Sequence, residues 1–155
     1  MIQDQLYVLT NGCSRYKATI FLYDDLKKSW RSLVELPKGD YMPDVVFVID
    51  QKAYFGLGRM YTKSDPSGFR NMTNIFYAFD PKNLTFKKIA RYPGQGRNNL
   101  SVFTIGETAY VGLGFGPDRG YQKDFYAYNT THNQWTRMAD FPGKERASAI
   151  AFTTP

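Results

Sequence analysis

Apolar and polar positions along this chain alternate in short runs rather than in long periodic stretches. Residues 45–49, 100–105 and 147–152 are apolar runs. Residues 20–23, 75–79 and 125–128 are rich in aromatics, and residues 30–33, 86–89 and 135–138 each open on Trp or Phe. These segments are β-branched and aromatic, and Gly, Pro, Asn and Asp bound them, which predicts strands. No apolar stripe of helical period extends over about ten residues or more.

One phrase occurs three times. Tyr23-Asp24-Asp25-Leu26-Lys27-Lys28-Ser29-Trp30 returns as Phe79-Asp80-Pro81-Lys82-Asn83-Leu84-Thr85-Phe86. It returns again as Tyr128-Asn129-Thr130-Thr131-His132-Asn133-Gln134-Trp135. Each copy is an aromatic, a polar turn and a second aromatic, and a proline follows: Pro37, Pro93, Pro142. Tyr54-Phe55-Gly56-Leu57-Gly58 recurs as Tyr110-Val111-Gly112-Leu113-Gly114, with a weaker copy at Tyr7-Val8-Leu9-Thr10-Asn11-Gly12. The prolines are 56 and then 49 residues apart, and Phe47, Phe103 and Phe152 keep the same spacings. A period of this size marks a repeat architecture.

These residues resemble the kelch repeats of β-propellers. The resemblance rests on the two Tyr-x-Gly-Leu-Gly stretches and on the Tyr23…Trp30 and Tyr128…Trp135 pairs, and it spans nearly the whole chain. The chain departs from the family pattern in two places. The usual double glycine is Gly-Leu-Gly in two units and Asn11-Gly12 in the first, and Phe86 stands where tryptophan is usual. The resemblance implies an all-β, kelch-type propeller with three four-stranded blades per chain. The units run about 1–43, 44–98 and 99–146, with 147–155 as the innermost strand of a further or a partner's blade. The paired aromatics are expected to be core between neighbouring blades.

Propellers close with four to eight blades. Three are too few, and both ends of this sequence fall at the same point of the repeat. The first unit lacks its innermost strand, and residues 147–152 are an innermost strand without partners. One expectation is a homodimer in which the C-terminal strand of each protomer completes the first blade of the other, giving six blades. The other is that the sequence is a piece of a longer propeller.

Composition narrows the picture further. Aromatics make up 17% of the 155 residues, as packing between blades requires. Cys13 is the one cysteine, so no intrachain disulfide forms. The net charge is +6 but the basic residues are dispersed, which argues against a nucleic-acid module. No secretory signal or membrane-spanning run is present. The resemblance keeps a bacterial extracytoplasmic location open. Asn71, Asn83 and Asn129 begin glycosylation-type triplets that ordinary turn composition also explains.

In a propeller the fourth-to-first and second-to-third connections share one face around the channel, where a rigid scaffold presents function. Arg97 and Arg146 hold equivalent places in the fourth-to-first loops, and Tyr41 takes that place in the first loop. The resemblance implies an arginine there at the channel mouth, suited to a carboxylate or another anion. It is equally suited to tying down the neighbouring blade. The long second-to-third loops carry Arg59, Tyr61 and Phe69 in one unit and Arg119 and Tyr121 in the next. Such aromatics stack on sugars or peptide side chains, or pack on each other. The candidate ligand-binding set is therefore Arg97, Arg146, Tyr41, Arg59, Tyr61, Phe69, Arg119 and Tyr121.

Catalytic signals are thin. His132 lies in a polar turn, where no nucleophilic triad forms around it. No His or Cys pair has metal-ligand spacing, and no metal or cofactor is expected. Gly112-Leu113-Gly114-Phe115-Gly116 lacks the spacing and the following helix of a nucleotide loop. Asp40, Asp44, Asp118 and Glu145 are carboxylates that read as solvated turn residues. A binding module for protein or carbohydrate is the leading expectation. The resemblance also implies an alternative, a mutarotase for an anionic sugar such as sialic acid, with Arg97, Arg146 and Glu145 as candidates.

Overall fold

A computed structural model describes residues 5–11, 17–37, 41–118 and 120–154. Three antiparallel meanders follow one another along the chain. The first contains β1 (Tyr7–Leu9), β2 (Thr19–Asp24) and β3 (Ser29–Glu35), in that order. A short ribbon pairs β4 (Tyr41–Met42) with β7 (Arg59–Met60). The second meander contains β5 (Val45–Ile49), β6 (Lys52–Gly56), β8 (Phe76–Asp80) and β9 (Thr85–Lys88). The third contains β10 (Ser101–Ile105), β11 (Thr108–Gly112), β12 (Phe125–Asn129) and β13 (Gln134–Arg137). The described residues are all-β.

The repeated phrase is a hairpin whose two aromatics face each other across the ladder. Tyr23 is opposite Trp30, Phe79 opposite Phe86 and Tyr128 opposite Trp135, with ring centroids 5.1, 5.0 and 4.8 Å apart. The polar residues between them build the turn. Asp24 accepts from Lys27 N at 3.0 Å, Asp80 from Lys82 N at 2.9 Å and Asn129 from His132 N at 2.8 Å. Lys28, Leu84 and Asn133, at equivalent positions, all adopt positive φ to bring the chain round.

The Gly-Leu-Gly stretches leave the strand at their first glycine, so β6 and β11 end two residues earlier than the motif. Gly56 and Gly112 make room for an aromatic, since a Cβ on either would lie 2.4 Å from the ring of Phe76 or Phe125. The leucine and second glycine that follow turn the chain through the left-handed region, with φ of 57° and 81° at Leu57 and Gly58. The same values at Leu113 and Gly114 are 60° and 100°.

Successive meanders stack face to face. One core cluster joins Val45, Phe47 and Tyr54 of the second to Ala109, Val111 and Tyr128 of the third. Another joins Ile20 of the first to Phe55, Tyr77 and Phe79 of the second. Trp135 is tied across the boundary by its indole N–H, which donates to Ala90 O at 3.0 Å. Tyr128 and Phe79 are buried, whereas Trp30, on which no sheet packs among the described residues, is exposed. Aromatic edges and faces share the packing between sheets with aliphatic side chains.

Residues 147–152, expected as the innermost strand of a further or a partner's blade, form no strand in the single chain. Extended apolar residues become a strand only where a neighbour supplies the other half of the ladder. Ser148 N donates to Asn99 O at 2.9 Å and Ser101 Oγ to Ala149 O at 2.7 Å, which fixes the segment's start. Beyond this Ile150 is 94% and Phe152 81% exposed.

Candidate functional site: the loop face of the second and third sheets

The fourth-to-first loops that carry Arg97 and Arg146 are stitched to the sheet before them. Gly58 N donates to Arg97 O at 2.8 Å, and Gly114 N to Arg146 O at 2.9 Å. The side chains at the arginine position then point toward the sheet that follows. Arg97 donates to Leu113 O at 3.2 Å and pairs through both terminal nitrogens with the Asp124 carboxylate. Tyr41, one repeat earlier, donates its hydroxyl to Leu57 O at 2.6 Å. Each exposes 2% of its surface. Their polar groups are spent on the framework.

Arg146 has an exposed version of the same setting. Its Nε donates to Lys144 O at 3.1 Å, as that of Arg97 does to Gln95 O at 3.2 Å. Its guanidinium lies 4.7 Å from the Phe141 ring, as that of Arg97 lies 5.3 Å from Tyr92. Counterparts of Leu113 O and Asp124 do not reach it among the described residues.

The groups that remain available come from the second-to-third loops. Arg59, at the end of the β4–β7 ribbon, stacks its guanidinium 3.8 Å over Phe69. With the Asn98 amide turned so that its nitrogen donates to Phe115 O at 3.1 Å, its oxygen accepts from Arg59 Nε, also at 3.1 Å, and from Nη2. Phe115 packs at 5.4 Å on Tyr121. A continuous line Phe69–Arg59–Asn98–Phe115–Tyr121 therefore crosses from one sheet's loops to the next. Phe69 is 43% and Tyr121 55% exposed. Tyr61 lies on the same ribbon side and donates to Met42 Sδ at 3.1 Å. Arg119 lies outside the described residues.

The loop bearing Phe69 is held from inside by Asp65. Its carboxylate accepts from Ser67 Oγ at 2.7 Å, Arg70 N at 2.7 Å and Asn71 Nδ2 at 3.1 Å. The Ser67 hydroxyl, then the Arg70 backbone and the Asn71 amide, hold that carboxyl below the usual range. Gly58 to Phe76 is a span of 18 residues, and the equivalent Gly114 to Phe125 is 11. The seven-residue difference equals the whole difference between the two repeat periods.

Among the acidic residues, Asp44 is set apart. Burial pushes its carboxyl up, opposed in part by the Asn99 and Leu100 backbone N–H groups and then by the charge of Arg59. Leu100 N donates to it at 3.0 Å. Asp118 caps its own turn by accepting from Gly120 N at 3.2 Å, and Glu145 is 3.9 Å from Lys123. Asp40 and Cys13 lie outside the described residues. His132 contacts Asn129 in its turn. No group of three or more potential metal ligands occurs among the described residues, and no helix there is long and apolar enough to cross a membrane.

No family model matches the chain. A kelch domain-containing protein of Vibrio cholerae serotype O1 is 32% identical over 117 residues, covering 71% of this chain and 29% of that protein. The solved structure of YjhT superposes with a TM-score of 0.71 at 18% identity, covering 94% of this chain and 52% of that one. The chain belongs to the kelch-repeat propellers. It spans about half the length of YjhT and under a third of the Vibrio protein.

In kelch terms, two features of the site were hidden in the sequence. Asp124 was not a candidate, although a carboxylate one residue before the third strand occurs in the unit that follows Arg97 and is replaced by Ile75 in the unit that follows Tyr41. Asn98 and Phe115, which link the two loop clusters, carry no motif of their own.

Proposed function

We propose that this kelch chain is a recognition module whose loop face binds a carbohydrate or protein ligand bearing an anionic group. The carrying observation is Arg59, a guanidinium stacked on Phe69 and oriented by Asn98, with exposed aromatics on either side. A planar cation flanked by rings suits a carboxylate attached to a sugar or side chain. Arg59, Tyr61, Phe69 and Tyr121 are the contact residues in this reading. Tyr41 and Arg97 support the loops from below, and Arg146 belongs to the same mouth in a closed ring of six blades. The test is saturation-transfer NMR with N-acetylneuraminic acid and an acidic glycan array. Arg59→Ala and Phe69→Ala should each abolish the signal without changing the melting temperature. A signal indifferent to both changes, or none with any acidic ligand, removes the reading.

A mutarotase is the second reading, favoured by Asp44. A carboxyl raised by burial, beside Arg59, can hold and release a proton near a bound anion. Anomer exchange of N-acetylneuraminic acid, followed by NMR, should then quicken with the protein and lose that gain with Asp44→Asn. An unchanged exchange rate leaves binding alone.

A further inference from the structure

Between the second and third sheets, at the end away from the loop face, lies a groove of about 270 Å³ with polar walls. Both sheets are four-stranded meanders, and every wall residue lies between positions 52 and 133. The ladder dictates one wall. Tyr54 is opposite Ala78, Ala78 opposite Lys87 and Asp80 opposite Thr85, and side chains two apart share a face, which adds Lys52 to the row. That face is the one turned to the third sheet, since the Tyr54 and Tyr128 rings are 6.0 Å apart. The β12–β13 turn supplies the other wall through Thr130 and Asn133.

The repeat does not require this polarity. At the places of Tyr128, Thr130 and Asn133 the preceding copy of the phrase has Phe79, Pro81 and Leu84. Leu84 makes the same left-handed turn, with φ of 54° against 51° at Asn133. Asn133 Oδ1 is fully used, accepting from Ala90 N at 2.8 Å and from the Tyr128 hydroxyl at 2.9 Å. Its amide nitrogen is the donor left over. The ammonium groups of Lys52 and Lys87 likewise pair with no carboxylate among the described residues. Asp80 is the acid in these walls, and its Oδ1 accepts from Lys82 N at 2.9 Å. Asp50 acts on Tyr54 from the β5–β6 turn without lining the groove. Two cations against one anion leave a single surplus positive charge.

We propose that this groove binds a sugar acid, a hydroxylated monocarboxylate. Its carboxylate lies between Lys52 and Lys87, with the Asn133 amide nitrogen as a third donor, and its hydroxyls reach Asp80 and Thr85. One surplus charge matches a carboxylate better than a doubly charged phosphate, which Asp80 would repel more strongly. The volume is just under the ~300 Å³ at which drug-sized sites begin, which suits one ring rather than a chain. The site is separate from the loop face and does not depend on what that face binds.

The test is an NMR titration of the intact, isotope-labelled chain with sodium glucuronate. The Asn133 side-chain amide and the backbone amides of Lys52 and Lys87 should shift together and saturate. Lys52→Met and Lys87→Met should each weaken binding about tenfold. Neither should change the melting temperature, because neither ammonium group has a partner to lose. Asn133→Asp keeps the acceptor for Ala90 N and the Tyr128 hydroxyl but replaces the donor with a charge, and it should abolish the shifts. Arg59→Ala should leave them intact. Shifts that survive both lysine changes overturn the proposal. So does inorganic phosphate binding as tightly as glucuronate, or the absence of any saturable shift.

Discussion

Tyr41 and Arg97 occupy the same place in successive repeats, and each donates to the carbonyl sixteen residues further on, Leu57 O and Leu113 O. Two different side chains thus perform one task, holding the left-handed turn that ends the second strand. The repeat conserves the acceptor and lets the donor change. Arginine brings a charge, and the third unit answers it with Asp124. Tyrosine brings none, and the second unit has Ile75.

Removing one partner of the buried pair should therefore be costly. Arg97→Ala leaves the Asp124 carboxylate without its counter-ion and should cost about 3 kcal/mol in urea unfolding. Tyr41→Phe removes one neutral hydrogen bond and should cost about 1 kcal/mol. The double change Arg97→Tyr with Asp124→Ile copies the Tyr41 and Ile75 arrangement one repeat earlier and should recover most of the loss.

The glycines give a graded test. A Cβ on Gly58 would meet Met42 O at 2.0 Å, and one on Gly114 would meet Asn98 O at 2.9 Å, both at positive φ. One on Gly106 meets nothing within 4 Å. Gly106→Ala should cost about 1 kcal/mol, from backbone conformation alone. Gly58→Ala should cost about 3 kcal/mol or more, because backbone must move.

Alkaline pH should unfold the chain through its tyrosines. Burial pushes the Tyr128 phenol up to about 12, and it raises Tyr41 and Tyr92 as well. The unfolded phenols ionise near 10, so stability is intact below that pH and falls as pH rises above it. The slope reaches about 1.4 kcal/mol per pH unit for each such tyrosine. Tyrosinate absorbance should appear with unfolding for these three and not before it.

Asp44 has the same sign at acid pH. Its proton is held more tightly in the folded chain than in the unfolded one, where the carboxyl titrates near 3.8. The contribution is full below that value and is lost as pH rises through the raised folded pKa. Asp44→Asn keeps an acceptor for Leu100 N and should flatten stability across that interval, as read from chemical denaturation at a series of pH values.

The sheets were legible because their signals are local. An aromatic, a polar turn and an aromatic seven residues later specify a hairpin with its register, and Phe79–Phe86 and Tyr128–Trp135 formed as expected. The β4–β7 ribbon was not legible, because Tyr41–Met42 and Arg59–Met60 are too short to show alternation. Residues 147–152 have a strand's composition without a strand's neighbour, and composition alone does not supply one. At the site, Arg59, Phe69 and Tyr121 were visible as residues beyond the needs of a turn. The role of Arg97 was not, since the choice between a ligand and a neighbouring backbone depends on Asp124, 27 positions away.

The seven residues that lengthen one repeat all fall between Gly58 and Phe76, inside a loop that Asp65 fastens to itself. Length can thus be added at the rim while the ladders keep their phase. The rim is an exchangeable cartridge on a fixed chassis: replacing residues 59–72 with a segment of another size would reshape it and leave the aromatic stacks beneath in place.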